Sequence, residues 1–124
     1  DLDKIKGVYE RTLTSIENCQ RAGVKLGLGS DVLDINYHAL QGSEFRHRGT
    51  VSKPIDVLRS ATSINAEILR KTGELGCIAP GAYADILALD FDPFKDLTGF
   101  EDAEQNIPLI MRGGKCIKNH LTQS

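Results

Sequence analysis

The chain has 124 residues, of which 40% are apolar and 26% charged, and its formal net charge is −2 with the histidines neutral. This composition is ordinary for a soluble globular protein, and so small a net charge creates no global field that would favour nucleic acid or a membrane surface. No apolar run approaches the roughly 18 residues of a membrane span, no signal-peptide-like leader opens the chain, and a complete TIM barrel would need roughly 200 to 250 residues.

The amino-terminal part of the chain predicts a helix followed by a strand. Apolar residues recur at three- and four-residue spacings over 2–19, which predicts an amphipathic helix over 2–22 that ends at Gly23. Apolar residues then alternate with Lys25 or glycine over 24–28, so the period of the pattern drops to two. This predicts a strand that ends in Gly29-Ser30-Asp31.

The middle of the chain predicts a loop and then a second helix. Residues 32–51 show no sustained period, so we interpret them as a loop with a short helical turn near 37–40. Ser52-Lys53-Pro54 combines a capping hydroxyl with a proline in the first turn, which predicts the start of a helix that continues to about residue 69.

The carboxy-terminal part predicts β-structure. Residues 86–89 and 109–111 are apolar runs typical of strands, and Gly113-Gly114 joins the second run to a third at Cys116 and Ile117. A two-residue Gly-Gly turn between apolar runs favours a β-hairpin. The stretch 85–104 has seven acidic residues and one basic residue, which favours a solvated loop region.

The three cysteines, Cys19, Cys77 and Cys116, form no CxxC pair and are odd in number. We therefore expect no disulfide framework and a reducing, cytoplasmic location. Each cysteine is expected to be a small buried apolar group rather than a metal ligand or nucleophile.

Asp31 is the first candidate for chemistry, because it follows the end of a short predicted strand lined by small residues. In barrel enzymes that position lies at the mouth where catalytic groups gather, and a carboxylate there could bind a cation and accept a proton from metal-bound water. The alternative interpretation is a Gly-Ser-Asp turn in which the aspartate caps a backbone amide.

The histidines and the basic residues near His47 indicate a functional site less strongly than Asp31 does. His38, His47 and His120 lack the i,i+4 or His-x-His spacing of a metal site, so a site built wholly from this chain has little support. His38 could contact substrate near Asp31, or it could be an exposed loop histidine. Arg46-His47-Arg48 could neutralise an anionic substrate group, although a charged loop tip is the commoner explanation.

Four stretches together resemble the C-terminal portion of the metal-dependent amidohydrolases, in particular the imidazolonepropionase-like and Xaa-Pro dipeptidase-like branch. Residues 24–31 (VKLGLGSD) look like the eighth barrel strand, and residues 52–69 (SKPIDVLRSATSINAEIL) look like the eighth helix. Residues 73–90 (GELGCIAPGAYADILALD) are similar to the family's entry into a β-sandwich, and residues 107–119 (IPLIMRGGKCIKN) to its closing hairpin. The resemblance covers nearly the whole chain.

The resemblance implies an α/β fragment in two pieces. Residues 1–72 would be the last helix, strand and helix of a TIM-like (β/α)8 barrel, and residues 73–124 would be strands of a composite β-sandwich. One strand cannot close a barrel, so we interpret the chain as a fragment of a larger hydrolase whose missing N-terminal barrel portion is its natural partner. Unpaired strand edges and an apolar helix face favour self-association of such a fragment.

The resemblance also implies a chemistry. Asp31 would be the metal-associated carboxylate that takes a proton from the attacking hydroxide and passes it to the leaving nitrogen, and His38 would contact substrate. The metal would be divalent, with zinc expected, and its remaining ligands would lie on barrel strands outside this chain. The parent would cleave C–N bonds in small amides, cyclic amides or dipeptides. The fragment alone would bind no metal tightly and would be inactive, because a catalytic metal needs about three protein ligands.

An alternative of another class is a stand-alone, non-catalytic α/β interaction module. The two hypotheses differ in what precedes Asp1: a longer reading frame with His-x-His on an early strand favours the enzyme, whereas a natural start codon there favours the module. A small ligand-binding α/β domain would need more parallel strands than the sequence predicts.

Overall fold

A computed structural model describes residues 2–32 and 34–121. Its sheet has three antiparallel strands in the order β1-β2-β3, namely β1 (Ile86–Ala88), β2 (Leu109–Arg112) and β3 (Lys115–Asn119). One long helix and seven short helical elements accompany it in the described residues. Within these described ranges, no helix has both the length and the apolarity needed to cross a membrane.

The predicted first helix is confirmed as α1 (Leu2–Arg21). It ends as the Gly23 signal predicts, because the backbone N–H of Val24 donates to the carbonyl of Cys19 and that of Gly23 donates to Gln20. No residue of α1 is buried. Its apolar stripe is therefore largely exposed, with Leu2 85% and Val8 57% accessible.

The predicted strand over 24–28 is wrong for this chain, because the segment has no regular secondary structure. A strand requires a neighbouring backbone to pair with, and the backbone of this segment is bonded to side chains instead. Asn65 bonds both backbone groups of Leu28, and Arg48 bonds the carbonyl of Gly27.

The predicted loop over 32–51 is wrong in its second half. The expected short turn is confirmed as a 3-10 helix (Ile35–Leu40), capped by the side chain of Asp34. It is followed by an unpredicted helix, α2 (Ser43–Gly49). This helix is stabilised by a distant contact, since Phe45 stacks on Phe100 with ring centroids 4.0 Å apart.

The second predicted helix is confirmed, although its cap is not. α3 (Pro54–Arg59) continues through a π-helical turn (Ser60–Ile64) into α4 (Asn65–Ile68), with proline in the first turn as predicted. The N-cap residue is Lys53, which makes no side-chain capping bond. The Ser52 hydroxyl, which the sequence predicts as the cap, instead accepts a hydrogen bond from the side-chain amide of Gln20 on α1.

The predicted hairpin is confirmed. β2 pairs with β3 across the turn at Gly113 and Gly114, with Arg112 opposite Lys115 and an irregularity in the register between Ile110 and Met111. β1 pairs with the other edge of β2. The first strand ends at Ala88, one residue earlier than the apolar run predicts.

The acidic stretch 85–104 is not simply a solvated loop, because it supplies much of the core. Leu97 and Phe100 are buried and cluster with Val57 and Ile107. The stretch folds into a 3-10 helix (Thr98–Glu101) and the start of α5 (Ala103–Asn106). Its carboxylates face outward, and three of them accept hydrogen bonds from nearby backbone amides; these are Asp92, Asp96 and Asp102.

The core cluster combines residues from both predicted pieces of the chain. Val57 comes from 1–72, whereas Leu97, Phe100 and Ile107 come from 73–124. The division into barrel-end and sandwich pieces stays a prediction.

The burial predicted for the cysteines is wrong for two of the three. All three are free thiols; Cys19 is half-buried on α1, whereas Cys77 and Cys116 are exposed. Cys116 lies on the outermost strand of the sheet, where its Sγ donates to the carbonyl of Lys118 at 3.3 Å. Four of the five residues of β3 are exposed, so this strand lacks the packing that would bury Cys116.

Phe100→Ala is expected to lower the free energy of unfolding by about 3–5 kcal/mol, because it leaves a cavity under Phe45 and Phe91. Phe94→Ala is the matched control, since Phe94 is 62% exposed and Phe100 only 8%. The control should change stability by about 0.5 kcal/mol or less. Equal effects of the two variants in urea unfolding would contradict the assignment of the core.

The hydrogen bonds of Asp96 predict that the free energy of unfolding decreases in acid. The backbone N–H and the hydroxyl of Thr98 donate to its carboxylate, and these bonds hold the pKa of Asp96 below its ordinary value of 3.8. A lowered folded-state pKa contributes stability that is present above 3.8 and is lost as the pH falls through the folded pKa.

Asp96→Asn keeps an acceptor oxygen but cannot titrate. We expect the wild type to be more stable than this variant at pH 7, and the difference to shrink below pH 3.8. Urea unfolding at a series of pH values measures it. A difference that stays constant into strong acid would contradict the role of the charge.

Candidate functional site

The segment that leads to Asp31 is held at two consecutive peptide groups. Arg48 of α2 donates from Nη1 to the carbonyl of Gly27 at 3.0 Å. Asn65 of α4 accepts from the Leu28 N–H at 3.1 Å and donates to the Leu28 carbonyl at 2.8 Å. Leu28 itself packs against the core cluster. Residues 24–28, which the sequence predicts as a strand, therefore form an irregular segment that is hydrogen-bonded to α2 and α4.

Asp31 follows this anchored segment as an exposed residue in the left-handed region, with φ +48°. Few non-glycine residues adopt this conformation, and aspartate is among those that tolerate it best. The capping role that the sequence left open for Asp31 is performed nearby by Asp34. The Asp34 carboxylate accepts from the backbone N–H of Asn36 at 2.9 Å and from its side-chain amide at 2.8 Å.

His38 lies on the 3-10 helix that follows, and its side chain is exposed. Within the part of the chain that the structure describes, no hydrogen bond or ion pair joins His38 to Asp31. An exposed imidazole and an exposed carboxylate are both accessible to a ligand.

The basic cluster is not a loop tip, because its three side chains have separate structural partners. Arg46 donates from Nε to the Glu101 carboxylate at 2.7 Å, and this hydrogen bond raises the pKa of Arg46 above its ordinary value. His47 Nδ1 lies 2.9 Å from the Tyr9 hydroxyl. Arg48 is only 6% exposed. The cluster therefore joins α2 to α1, to the acidic stretch and to the segment before Asp31.

A cavity of about 500 Å³ lies between α1 and α2. Its lining is mainly apolar, with Ile5, Val8 and Leu13 from α1, and Arg48 and His47 from α2. Neither Asp31 nor His38 lines it. The cavity belongs to the exposed stripe of α1 rather than to the candidate catalytic residue.

The potential metal-ligating side chains are not gathered into one cluster in the described part of the chain. Residues 2–32 and 34–121 contain no group of three or more histidine, cysteine, aspartate or glutamate side chains that could hold a metal ion. Asp31 fits a metal only as one carboxylate ligand, and a catalytic zinc takes about three ligands from protein.

The residues that the sequence analysis missed are Arg48 and Asn65. The sequence places Arg48 in a charged cluster, and it places Asn65 in the stretch 52–69 that resembles the family's eighth helix, but it assigns neither residue a partner. Their partners lie 21 and 37 residues away along the chain, so no local period reveals the contacts. The one available signal was an asparagine within the apolar helical pattern of 52–69; nothing local distinguished Arg48 from the other charged residues of 46–48.

Comparisons with known proteins give one consistent result. Residues 2–117 match the amidohydrolase family. A solved amidohydrolase is 42% identical to the chain with a TM-score of 0.83, and the match covers 89% of this chain and 26% of that one. A prolidase solved in complex with N-methylphosphonate-L-proline is 40% identical with a TM-score of 0.80, covering 86% of this chain and 26% of the prolidase.

A more distant relative is the ochratoxinase of Aspergillus niger. It is 25% identical over 116 residues, which are 93% of this chain and 24% of the ochratoxinase. The chain therefore spans about a quarter of the length of the relatives it matches.

Proposed function

This chain belongs to the amidohydrolase family, and from that premise we propose that it is part of a metal-dependent hydrolase of C–N bonds in small amides, cyclic amides or dipeptides. The observation that carries the proposal is the family match over 2–117. The 40% identity to a prolidase that binds a proline derivative favours dipeptide-like substrates. In the whole protein, residues 1–72 would complete the barrel and residues 73–124 would belong to a β-sandwich.

Asp31 is the proposed catalytic residue. A divalent metal, with zinc expected, would lower the pKa of a water molecule toward neutrality when bound. The Asp31 carboxylate would accept the proton of the attacking water and deliver it to the leaving nitrogen, as general acid–base chemistry requires. Its exposure and its place after an anchored segment support this role. His38 is the proposed substrate contact, since its exposed imidazole follows on the next helix.

The remaining metal ligands would lie in the rest of the hydrolase, because Asp31 is one carboxylate and the described residues add no cluster to it. We therefore propose that residues 1–124 alone do not turn over substrate. A fixed carboxylate without the cation lacks the activated water that it would deprotonate.

A second candidate, a non-catalytic interaction module, is favoured by the exposure of the α1 stripe. An exposed apolar helix face is typical of a surface that binds another protein. The two candidates are separated by the sequence upstream of Asp1 and by whether the longer protein holds a metal.

In the longer protein, Asp31→Ala is expected to lower kcat by about 10²–10⁴-fold, because the proton acceptor is removed. Asp34→Asn is the matched control, since it lies three residues away and keeps an oxygen for the Asn36 amide. The control should retain wild-type activity. Hydrolysis of a panel of Xaa-Pro dipeptides and N-acyl amino acids measures both variants, and full activity of Asp31→Ala would exclude the proposed role.

We further propose that the isolated chain self-associates through α1. Ile5→Gln combined with Val8→Gln is expected to yield a monomer, because these substitutions remove apolar surface from the exposed stripe. Ile78→Gln is the control, since Ile78 is 91% exposed but lies outside α1. Sedimentation velocity measures the state of each variant. A monomeric wild type at high concentration would refute the proposal.

A further inference from the structure

We propose that Asn65 and Arg48 are positioning residues that hold the segment before Asp31 and thereby set where its carboxylate lies. The inference rests on the proposed function of Asp31 and adds two residues that do not themselves touch the reacting atoms. It is carried by hydrogen bonds to two consecutive peptide groups, at Gly27 and Leu28.

Asn65 does for Leu28 what a neighbouring strand would do. A side-chain amide presents the same donor and acceptor pair as a peptide group, and here Oδ1 accepts from the Leu28 N–H while Nδ2 donates to its carbonyl. The orientation of the amide is unambiguous, because a backbone N–H can only donate and a carbonyl can only accept. Both backbone groups of Leu28 are thus satisfied by one side chain.

Gly27 makes this approach possible. A Cβ atom at position 27 would overlap Oδ1 of Asn65 and would lie 3.0 Å from Cδ1 of Ile68. Any larger residue would push α4 or the amide away from the segment. Gly27, one of the non-apolar positions of the alternation, is therefore the residue that leaves room for the Asn65 side chain.

Arg48 holds the preceding peptide group from the other helix. Its buried guanidinium donates to the Gly27 carbonyl at 3.0 Å. Among the described residues, its buried Nε has no hydrogen-bond partner. An unpartnered buried N–H opposes stability, so stability alone does not account for a guanidinium at this place. Positioning the Gly27 carbonyl is the role that its geometry supports.

Only Gly29 and Ser30 separate the anchored Leu28 from Asp31. Neither lies in regular secondary structure, and Asp31 has a left-handed backbone. Because only two residues connect them, the anchored Leu28 limits how far the Asp31 carboxylate can move, so its location depends on Asn65 and Arg48. Misplacing a catalytic group by about 1 Å can cost about 10²-fold in rate.

The first test uses the 124-residue chain and compares Asn65→Ala with Asn106→Ala. Asn106 is a matched control, because its Nδ2 also donates to a backbone carbonyl, that of Gly99 at 3.0 Å, far from the segment in sequence. Asn65→Ala should speed hydrogen exchange of the Leu28 amide by about 10-fold or more and lower the ¹H–¹⁵N NOE of Ser30 and Asp31. Asn106→Ala should leave both unchanged. Unchanged exchange and NOE in Asn65→Ala would overturn the proposal.

The second test measures turnover by the longer protein. Asn65→Asp is nearly isosteric and can still accept from Leu28, but as a carboxylate it cannot donate to the Leu28 carbonyl. We expect kcat to fall by about 10- to 100-fold in Asn65→Ala and less in Asn65→Asp, with KM changed by no more than about two-fold. Asn106→Ala should keep the wild-type kcat.

The two tests separate this inference from the proposed function. If the wild-type longer protein hydrolyses no amide, the proposed function fails, and the exchange measurement still decides whether Asn65 holds the segment. If the wild type is active and Asn65→Ala loses the protection of the Leu28 amide from hydrogen exchange but keeps its kcat, the positioning role is wrong. The catalytic role proposed for Asp31 is then unaffected.

Discussion

The stacking of Phe45 on Phe100 is the contact on which the candidate site depends. It joins α2 to the acidic stretch, and Phe91 packs edge-on against the same ring at 5.0 Å. Buried aromatic rings contribute much of the free energy of a small core. α2 carries Arg48, so the same contact places the guanidinium that bonds Gly27. The order of the segment that leads to Asp31 therefore originates in residues far from it along the chain.

The parts of the fold that the sequence predicted are those determined by local chemistry. α1 has an unbroken apolar stripe and a glycine stop, and the helical stretch from Pro54 to Ile68 has a proline start. The hairpin has apolar runs joined by Gly113 and Gly114. In each case, the period and the turn residue lie within a few positions of each other. The family was likewise predictable, because its motifs occur in order along the chain.

The parts that were not predicted depend on distant partners. α2 is stabilised because Phe45 stacks on Phe100. The acidic stretch is ordered because its Leu97 and Phe100 are buried in the core cluster. The segment 24–28 has the alternation of a strand, but Asn65 rather than another strand bonds its backbone. The sequence singled out Asp31 from its place after that segment. It could not single out Asn65, because the amide's function is visible only when two elements 37 residues apart meet.

The proposed function makes this chain the part of a metal-dependent hydrolase that contributes Asp31. Its direct test is turnover of Xaa-Pro dipeptides by the longer protein before chelation, after chelation and after return of Zn²⁺. We expect chelation to abolish hydrolysis and the returned metal to restore it, because a metal-activated water would be the nucleophile of such a hydrolase. Hydrolysis that continues undiminished in a preparation shown to be free of metal would contradict it.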